Sequence, residues 1–207
     1  MPGAGKTIIT SIVVKHLWTR FQSSATVGIA YVYCDFRRQN EQKPVDLLSS
    51  LLKQLVQEQP SIPKSLKSLY KGHKKKRTRP LFEEISTELL SVVANYPKVF
   101  IIIDALDEYH NSDGGRRRFL SEIFKLQAKT KLNLFATSRF NPEIERDFKD
   151  AILVEIRASD EDMRRYLEGK MIQLLPQFVL ESPDLREEIK TAIIKAVDGM
   201  YVSCYDI

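Results

Sequence analysis

Cysteines, long apolar runs and metal-binding patterns are scarce in this sequence. Cys34 and Cys204 are its only cysteines, too few for a disulfide framework. No stretch of about 18 apolar residues occurs, so no membrane-spanning helix is expected. Met1 is followed by a glycine-rich turn rather than by a signal-peptide pattern, and neither a zinc signature nor a nucleophile elbow appears. These absences favour a soluble protein of the reducing cytoplasm.

The composition is that of a globular protein with a modest positive charge. Of the 207 residues, 43% are hydrophobic and 29% are charged, and the formal net charge is +5. Much of the positive excess lies between Lys71 and Arg79. A basic run of this length is typical of a solvated loop and speaks only weakly for nucleic acid or an acidic membrane. Nucleic acid is therefore not expected as a partner.

Two kinds of hydrophobic periodicity alternate along the chain. Helical spacing predicts helices at 6–21, 44–57, 61–70, 81–96, 116–129 and 185–197, and a helical turn at 142–148. A further helix is predicted to begin at Ser159 as its N-cap. Runs of β-branched and apolar residues predict strands at 27–36, 99–104, 132–137 and 152–156. The basic segment 71–80 is predicted to be a loop, and 111–115 a turn. Strands that alternate with helices indicate an α/β fold with a mostly parallel sheet.

The first chemical pattern is PGAGKT at positions 2–7, directly before the first helix. Glycines let backbone N–H groups approach a phosphate closely, and the following helix points its positive end at the same anion. Lys6 is expected to reach the β- and γ-phosphates, and the Thr7 hydroxyl to ligate Mg²⁺. The first glycine of the full G-x-x-x-x-G-K-[ST] pattern falls before Met1. The alternative interpretation is an ordinary glycine-rich turn before a helix.

The second pattern is the strand VFIIID at 99–104, which is followed by ALDE. An apolar strand that ends in a carboxylate is typical of proteins that hold Mg²⁺ beside a phosphate chain, so Asp104 is assigned to that role. Asp107 and Glu108 lie just beyond the strand, where either is placed to orient or deprotonate an attacking water. The alternative interpretation is a core strand followed by an acidic loop.

The third pattern is Thr137-Ser138-Arg139, at the end of the strand LNLFAT. Parallel strands bring their carboxyl ends to one edge of a sheet, where ligands bind. Arg139 is expected there to sense a γ-phosphate and to neutralise charge on the departing phosphate. The alternative interpretation is a solvated arginine in a loop.

Taken in order, PGAGKT, VFIIIDALDE and LFATSR resemble the NACHT domain of the STAND class of P-loop ATPases. The similarity is greatest to fungal NOD-like receptor proteins, whose module is also described as a nephrocystin-like N-terminal domain. YVYCDFR, LLSSLLKQL, IRASDEDMRRYL and KAVDGMYV resemble further segments of that family. The resemblance implies a three-layer P-loop fold whose first strand, effector domain and repeats lie outside this sequence, as in a chain truncated at both ends. It implies a nucleotide-binding domain at 1–157 and the beginning of a helical subdomain at 158–207.

The resemblance also implies an ATP-dependent conformational switch. Members bind ATP or ADP with Mg²⁺, hydrolyse ATP slowly and self-associate through their NACHT domains in signal transduction, often with C-terminal ankyrin repeats. By position, the resemblance assigns nucleotide contacts to Gly3, Ala4, Gly5, Lys6, Thr7 and Ile8, metal contacts to Thr7 and Asp104, and catalytic roles to Lys6, Asp107, Glu108 and Arg139. Two alternatives stay open: a nucleotide-free scaffold that has lost catalysis, and a nucleic-acid-associated ATPase that uses the basic segment.

Overall fold

The computed structural model describes residues 6–22, 24, 26–38, 41–109, 114–156, 160–174, 179, 181–197 and 202–206. Within these ranges the helices are α1 (Lys6–Phe21), α2 (Pro44–Gln57), α3 (Lys64–Lys76), α4 (Phe82–Ala94), α5 (Gly115–Lys129), α6 (Pro142–Asp147), α7 (Asp160–Leu174) and α8 (Pro183–Val197). The strands are β1 (Val27–Tyr33), β2 (Lys98–Asp104), β3 (Leu132–Ser138), β4 (Ile152–Ile156) and β5 (Val202–Asp206). None of these helices is long and apolar enough to cross a membrane.

A parallel sheet of three strands carries the candidate site. β1 pairs with β2 from Val27 opposite Lys98 to Tyr33 opposite Asp104, and β2 pairs in parallel with β3. The full strand order is β1-β2-β3-β5-β4. β5, which the sequence did not predict, runs antiparallel to β3 and supplies backbone hydrogen-bond partners to its second edge. The prediction of an α/β fold is confirmed, and its parallel part is β1 to β3.

Helices cover both faces of this sheet. Ile101 and Ile103 of β2 belong to the main hydrophobic core, together with buried side chains of α2, α4 and α5. On the opposite face, the Phe100 ring stacks on Phe21 of α1 with 5.6 Å between ring centroids. Because successive side chains of a strand point to opposite faces, Asp104 lies on the α1 face. The sheet therefore presents the end of β2 to the first turns of α1.

The leucine-rich helix α2 forms where the sequence predicts it. Pro44 occupies the start of the helix, where its missing N–H costs nothing. The predicted apolar stripe is buried throughout, at Leu47, Leu48, Leu51, Leu52 and Leu55. Full burial of each such side chain contributes about 1.5–3 kcal/mol. The Tyr96 hydroxyl donates to the backbone oxygen of Leu55 at 2.6 Å, which joins α2 to the segment before β2.

The predicted loop at 71–80 is wrong for its first six residues, because α3 continues through Lys76. Lysines at the carboxyl end of a helix interact favourably with the helix dipole, which offsets part of their mutual repulsion. Arg77 then ends the helix in a left-handed conformation, with φ 52°. The predicted N-cap Ser159 and positions 111–113 of the predicted turn lie outside the described residues.

The chain divides into two units, which are 5–154 with 203–207 and 1–4 with 155–202. The first unit contains the three parallel strands. In the second unit, α7 and α8 are joined by ion pairs: Arg164 contacts Glu187 at 3.1 Å, and Lys190 contacts Glu168 at 3.1 Å. Hydrogen bonds from its ammonium group to Glu187 and Glu168 raise the pKa of Lys190 above its ordinary value.

Candidate functional site

Asp104 ends β2 as a buried carboxylate, only 2% exposed. Three threonine hydroxyls donate hydrogen bonds to it. The hydroxyl of Thr7 reaches Oδ2 at 2.7 Å, and those of Thr10 and Thr137 reach Oδ1 at 2.6 and 2.7 Å. Thr7 and Thr10 are three residues apart on α1, so both face the end of β2. The carboxylate is thus fixed by donors from α1 and β3.

The chain leaves β2 through a left-handed residue, Ala105, with φ 52° and ψ 48°. Non-glycine residues rarely adopt this conformation, which costs of the order of 1 kcal/mol or more. The backbone N–H of Ala105 donates to the Thr137 hydroxyl at 3.0 Å, and that hydroxyl donates to Asp104 in turn. Directly after this bend, the 3₁₀ turn Leu106–Glu108 carries two further carboxylates. The strained bend therefore places the acidic side chains beside the end of β2.

Lys6, at the start of α1, forms an ion pair with Asp107. Its Nζ lies 3.2 Å from Oδ1 and 3.3 Å from Oδ2, and 4.0 Å from Oε1 of Glu108. The lysine side chain is 7% exposed and that of Asp107 is 12% exposed. A cation this deeply buried requires a partner, since an unpaired buried charge is costly. Asp107 meets that requirement in this structure.

Arg139 approaches the same carboxylates from the end of β3. Its backbone N–H donates to Oδ1 of Asp107 at 2.9 Å, and its Nε lies 3.6 Å from Oδ2. Its guanidinium is also 4.0 Å from Oε1 of Glu108. With Lys6, the cluster holds two cations and two carboxylates around one corner of the sheet. The guanidinium is 43% exposed, so it is accessible to a ligand at this edge.

The residues around Asp104 fit a divalent cation that is held mainly by a ligand's own oxygens. Within the described part of the chain, no basic group lies within 4.0 Å of Asp104, whose recorded donors are neutral hydroxyls. No group of three or more His, Cys, Asp or Glu that could enclose a metal occurs among the described residues. Mg²⁺ suits such a site, because it commonly binds one or two carboxylates and completes its shell with water and phosphate oxygens.

A cysteine packs behind this site. Cys34 follows β1, is 5% exposed, and its backbone N–H donates to the backbone oxygen of Asp104 at 3.0 Å. Burial, and then the negative charges of Asp104, Asp107 and Glu108, raise the pKa of its thiol far above the ordinary value. The thiol therefore stays protonated at neutral pH, and a nucleophilic role for it is not supported.

The structure brings most of the predicted site residues together. The side chains that meet at the ends of β2 and β3 are Lys6, Thr7, Asp104, Asp107, Glu108 and Arg139. Ile8, predicted to contact a nucleotide, is 67% exposed. Gly3, Ala4 and Gly5 lie outside the described residues. The roles of all these residues stay predictions, since position alone does not test them.

Thr10 is the site residue that the sequence did not single out. It is fully buried, and it makes the shortest of the three hydrogen bonds to Asp104. The available signal was its spacing: a polar residue three positions after Thr7 shares that residue's helix face. The signal becomes informative only when the position of β2 relative to α1 is known.

Comparison with models of known families gives one match for this chain. Residues 1–139 match the model of the nephrocystin 3 N-terminal family, which covers about two-thirds of the chain. The chain belongs to that family. Comparisons with curated proteins and with solved structures returned no match.

Proposed function

We propose that this chain is the nucleotide-binding part of a NACHT-type P-loop ATPase and that it acts as a conformational switch. The observation that supports this proposal is the convergence of Lys6 and Thr7 with Asp104 and Asp107, about 100 positions away in sequence, at one corner of a parallel sheet. Lysine, threonine and carboxylate in this order are the side chains that P-loop proteins use around a metal-bound triphosphate.

Each side chain has a role that follows from its chemistry. Lys6 contacts the β- and γ-phosphates as a point charge, and Thr7 and Asp104 hold Mg²⁺ or its water shell. When bound, Mg²⁺ neutralises charge on the phosphates. Asp107 and Glu108 lie beside the cations, where this pair orients the attacking water. Arg139 stabilises the charge that develops on the γ-phosphate as it transfers to water.

Asp107 has a second role in this proposal, because its carboxylate forms an ion pair with Lys6. Triphosphate and Asp107 are both anions, so binding of ATP requires Lys6 to exchange one for the other. Asp107 also contacts Arg139, so the exchange changes the charge around that arginine as well. The acidic turn Leu106–Glu108 is therefore the element that couples nucleotide binding to a change of shape in this proposal.

This exchange predicts opposite effects on binding and hydrolysis. Asp107→Asn removes the competing negative charge while it keeps the size of the side chain. Affinity for ATP is expected to rise, and the rate of hydrolysis to fall, because the water-orienting pair is reduced to Glu108. Titration with a fluorescent ATP analogue and a phosphate-release assay measure the two quantities. A variant that loses both affinity and hydrolysis would contradict the competing role of Asp107.

The wider biological role is proposed from the resemblance to NOD-like receptors. In it, exchange of ADP for ATP permits self-association of like domains in the cytoplasm and transmits a signal. The nephrocystin 3 N-terminal family membership agrees with this class at a coarser level.

The experiment that tests nucleotide binding uses two lysines of the same helix. Lys6→Ala removes the phosphate contact, whereas Lys15→Ala removes an exposed lysine further along α1. In the presence of Mg²⁺, Lys6→Ala is expected to weaken binding of a fluorescent ATP analogue by about tenfold or more, since a hydrogen bond to a charged group contributes about 1.5–3 kcal/mol. Lys15→Ala should bind as the wild type does. If all three proteins bind equally poorly, the chain is a nucleotide-free scaffold.

A further inference from the structure

The segment that contains α3 carries a net positive charge, unlike the rest of the chain. From position 64 to 79 the sequence holds eight lysines and arginines and no aspartate or glutamate. The remaining positions hold 24 basic and 27 acidic residues, so the chain outside this segment is net negative. The net positive charge of the protein is therefore concentrated in this segment. The positions of these basic side chains determine which ligands the segment can bind.

The helix α3 places five lysines on one face. At about 100° per residue they fall within an arc of about 100° and extend over about 16 Å of helix. They are Lys64, Lys67, Lys71, Lys74 and Lys75, and all are exposed. We call them the lysine stripe. The opposite face of α3 packs against the rest of the protein. Leu66 on that face contacts the main hydrophobic core, and Leu69 is half-buried.

The carboxyl end of the stripe is fixed in place by His73, on the inner face of α3. One ring nitrogen of His73 lies 2.8 Å from the Thr78 hydroxyl, and the other lies 3.0 Å from Oε2 of Glu84 on α4. Near the amino end of α3, the Ser65 hydroxyl donates to Glu88 at 2.8 Å. Both carboxylates belong to α4, and both contact residues of α3 outside the lysine stripe. Within the described residues, no carboxylate lies within 4.0 Å of the lysine stripe.

We propose that the lysine stripe binds the phosphate backbone of single-stranded nucleic acid without reading its sequence. The solvated loop expected from position 71 is a helix through Lys76 instead. The helix arranges the lysine side chains in a row along one of its faces. The stripe holds five lysines, and each ammonium can neutralise one phosphate, so we expect about five phosphate contacts along the strand. Tyr70 borders the stripe and is 62% exposed, with the ammonium of Lys74 5.6 Å from its ring centroid. An exposed ring beside lysines is a surface on which an unpaired base stacks.

Two other classes of polyanion fit the surface less well. A basic helix that lies on an anionic membrane inserts its apolar face, but the apolar face of α3 packs on the core. An acidic peptide offers carboxylates but no bases for Tyr70 to stack on. The proposal does not depend on ATP binding, since the stripe shares no residue with the site at the ends of β2 and β3.

The test is the salt dependence of binding to a fluorescein-labelled oligothymidylate of about 16 nucleotides, measured by fluorescence anisotropy. Five neutralised phosphates predict a slope of log K against log salt of about −3.5 for a single strand. A triple variant, Lys67→Gln with Lys71→Gln and Lys74→Gln, should reduce the slope to about −1.4. Tyr70→Ala should weaken binding by about fivefold to 150-fold at constant salt.

The matched control removes the same charge elsewhere. Lys53→Gln with Lys129→Gln and Lys131→Gln changes three exposed lysines outside α3, and it should keep the full slope. Equal slopes for the two triple variants would overturn the proposal. So would displacement of the oligonucleotide by polyglutamate at equal charge, or binding to phosphatidylserine vesicles at the same affinity. If the stripe variant fails to fold, Lys67→Gln alone must lower the slope by about 0.7.

Discussion

Replacement of Thr10 by valine tests how the candidate site is held together. Valine keeps the shape and β-branching of threonine but cannot donate to Asp104. The lost hydrogen bond is 2.6 Å long and lies between a fully buried residue and a carboxylate that is 2% exposed. Hydrogen bonds to charged groups contribute about 1.5–3 kcal/mol. Oδ1 keeps the donor from Thr137, so the loss should lie in the lower part of that range, at about 1.5–2 kcal/mol.

Urea unfolding followed by circular dichroism measures this change, which corresponds to a fall of about 3–8 °C in Tm for a chain of this size. Thr10→Ser keeps the hydroxyl and should stay much closer to the wild type. Thr19→Val makes the same chemical change at an exposed position of α1 and should stay within about 0.5 kcal/mol. A Thr10→Val protein as stable as the wild type would refute the view that this hydroxyl fixes Asp104.

Two further predictions concern the fold around the site. Gly28→Ala puts a Cβ 2.8 Å from a methyl group of Leu55 and should lower the free energy of unfolding by about 1–3 kcal/mol. In Gly72→Ala on α3, the new Cβ meets nothing within 4 Å, so this variant should be as stable as the wild type or slightly more stable. Thermal unfolding measures both changes. The backbone N–H of Leu81 lowers the pKa of Glu84 below its ordinary 4.5. Stability from a lowered pKa is present above the ordinary value and is lost as the pH falls through the lowered one, so the stability difference between wild type and Glu84→Gln should narrow below pH 4.5 in a series of urea titrations.

The sequence predicted the elements whose signal is local. The leucine stripe of α2 repeats at helical spacing, and all five leucines are buried. The apolar strand before Asp104 is β2, which starts one residue earlier than predicted. Such patterns succeed because burial of one face follows directly from the spacing of apolar residues.

The features that the sequence did not predict depend on distant partners. α3 extends beyond its predicted end, where lysines and Gly72 suggest a loop, and contacts between His73 and α4 stabilise its last turn. β5 forms by pairing with β3, about 67 positions earlier in the chain. The contact of Lys6 with Asp107 also depends on the path of the turn after β2. None of these contacts produces a periodic pattern in the sequence from which it could be predicted.

The central claim is that Lys6, Thr7 and Asp104 surround one metal-bound triphosphate. The most direct measurement is a crystal structure of the protein with a non-hydrolysable ATP analogue and Mn²⁺, whose anomalous signal locates the metal. The proposal predicts a metal peak within bonding distance of the Thr7 hydroxyl oxygen, and Lys6 moved from Asp107 to the phosphates. A metal or nucleotide bound elsewhere, with Lys6 still paired to Asp107, would contradict it.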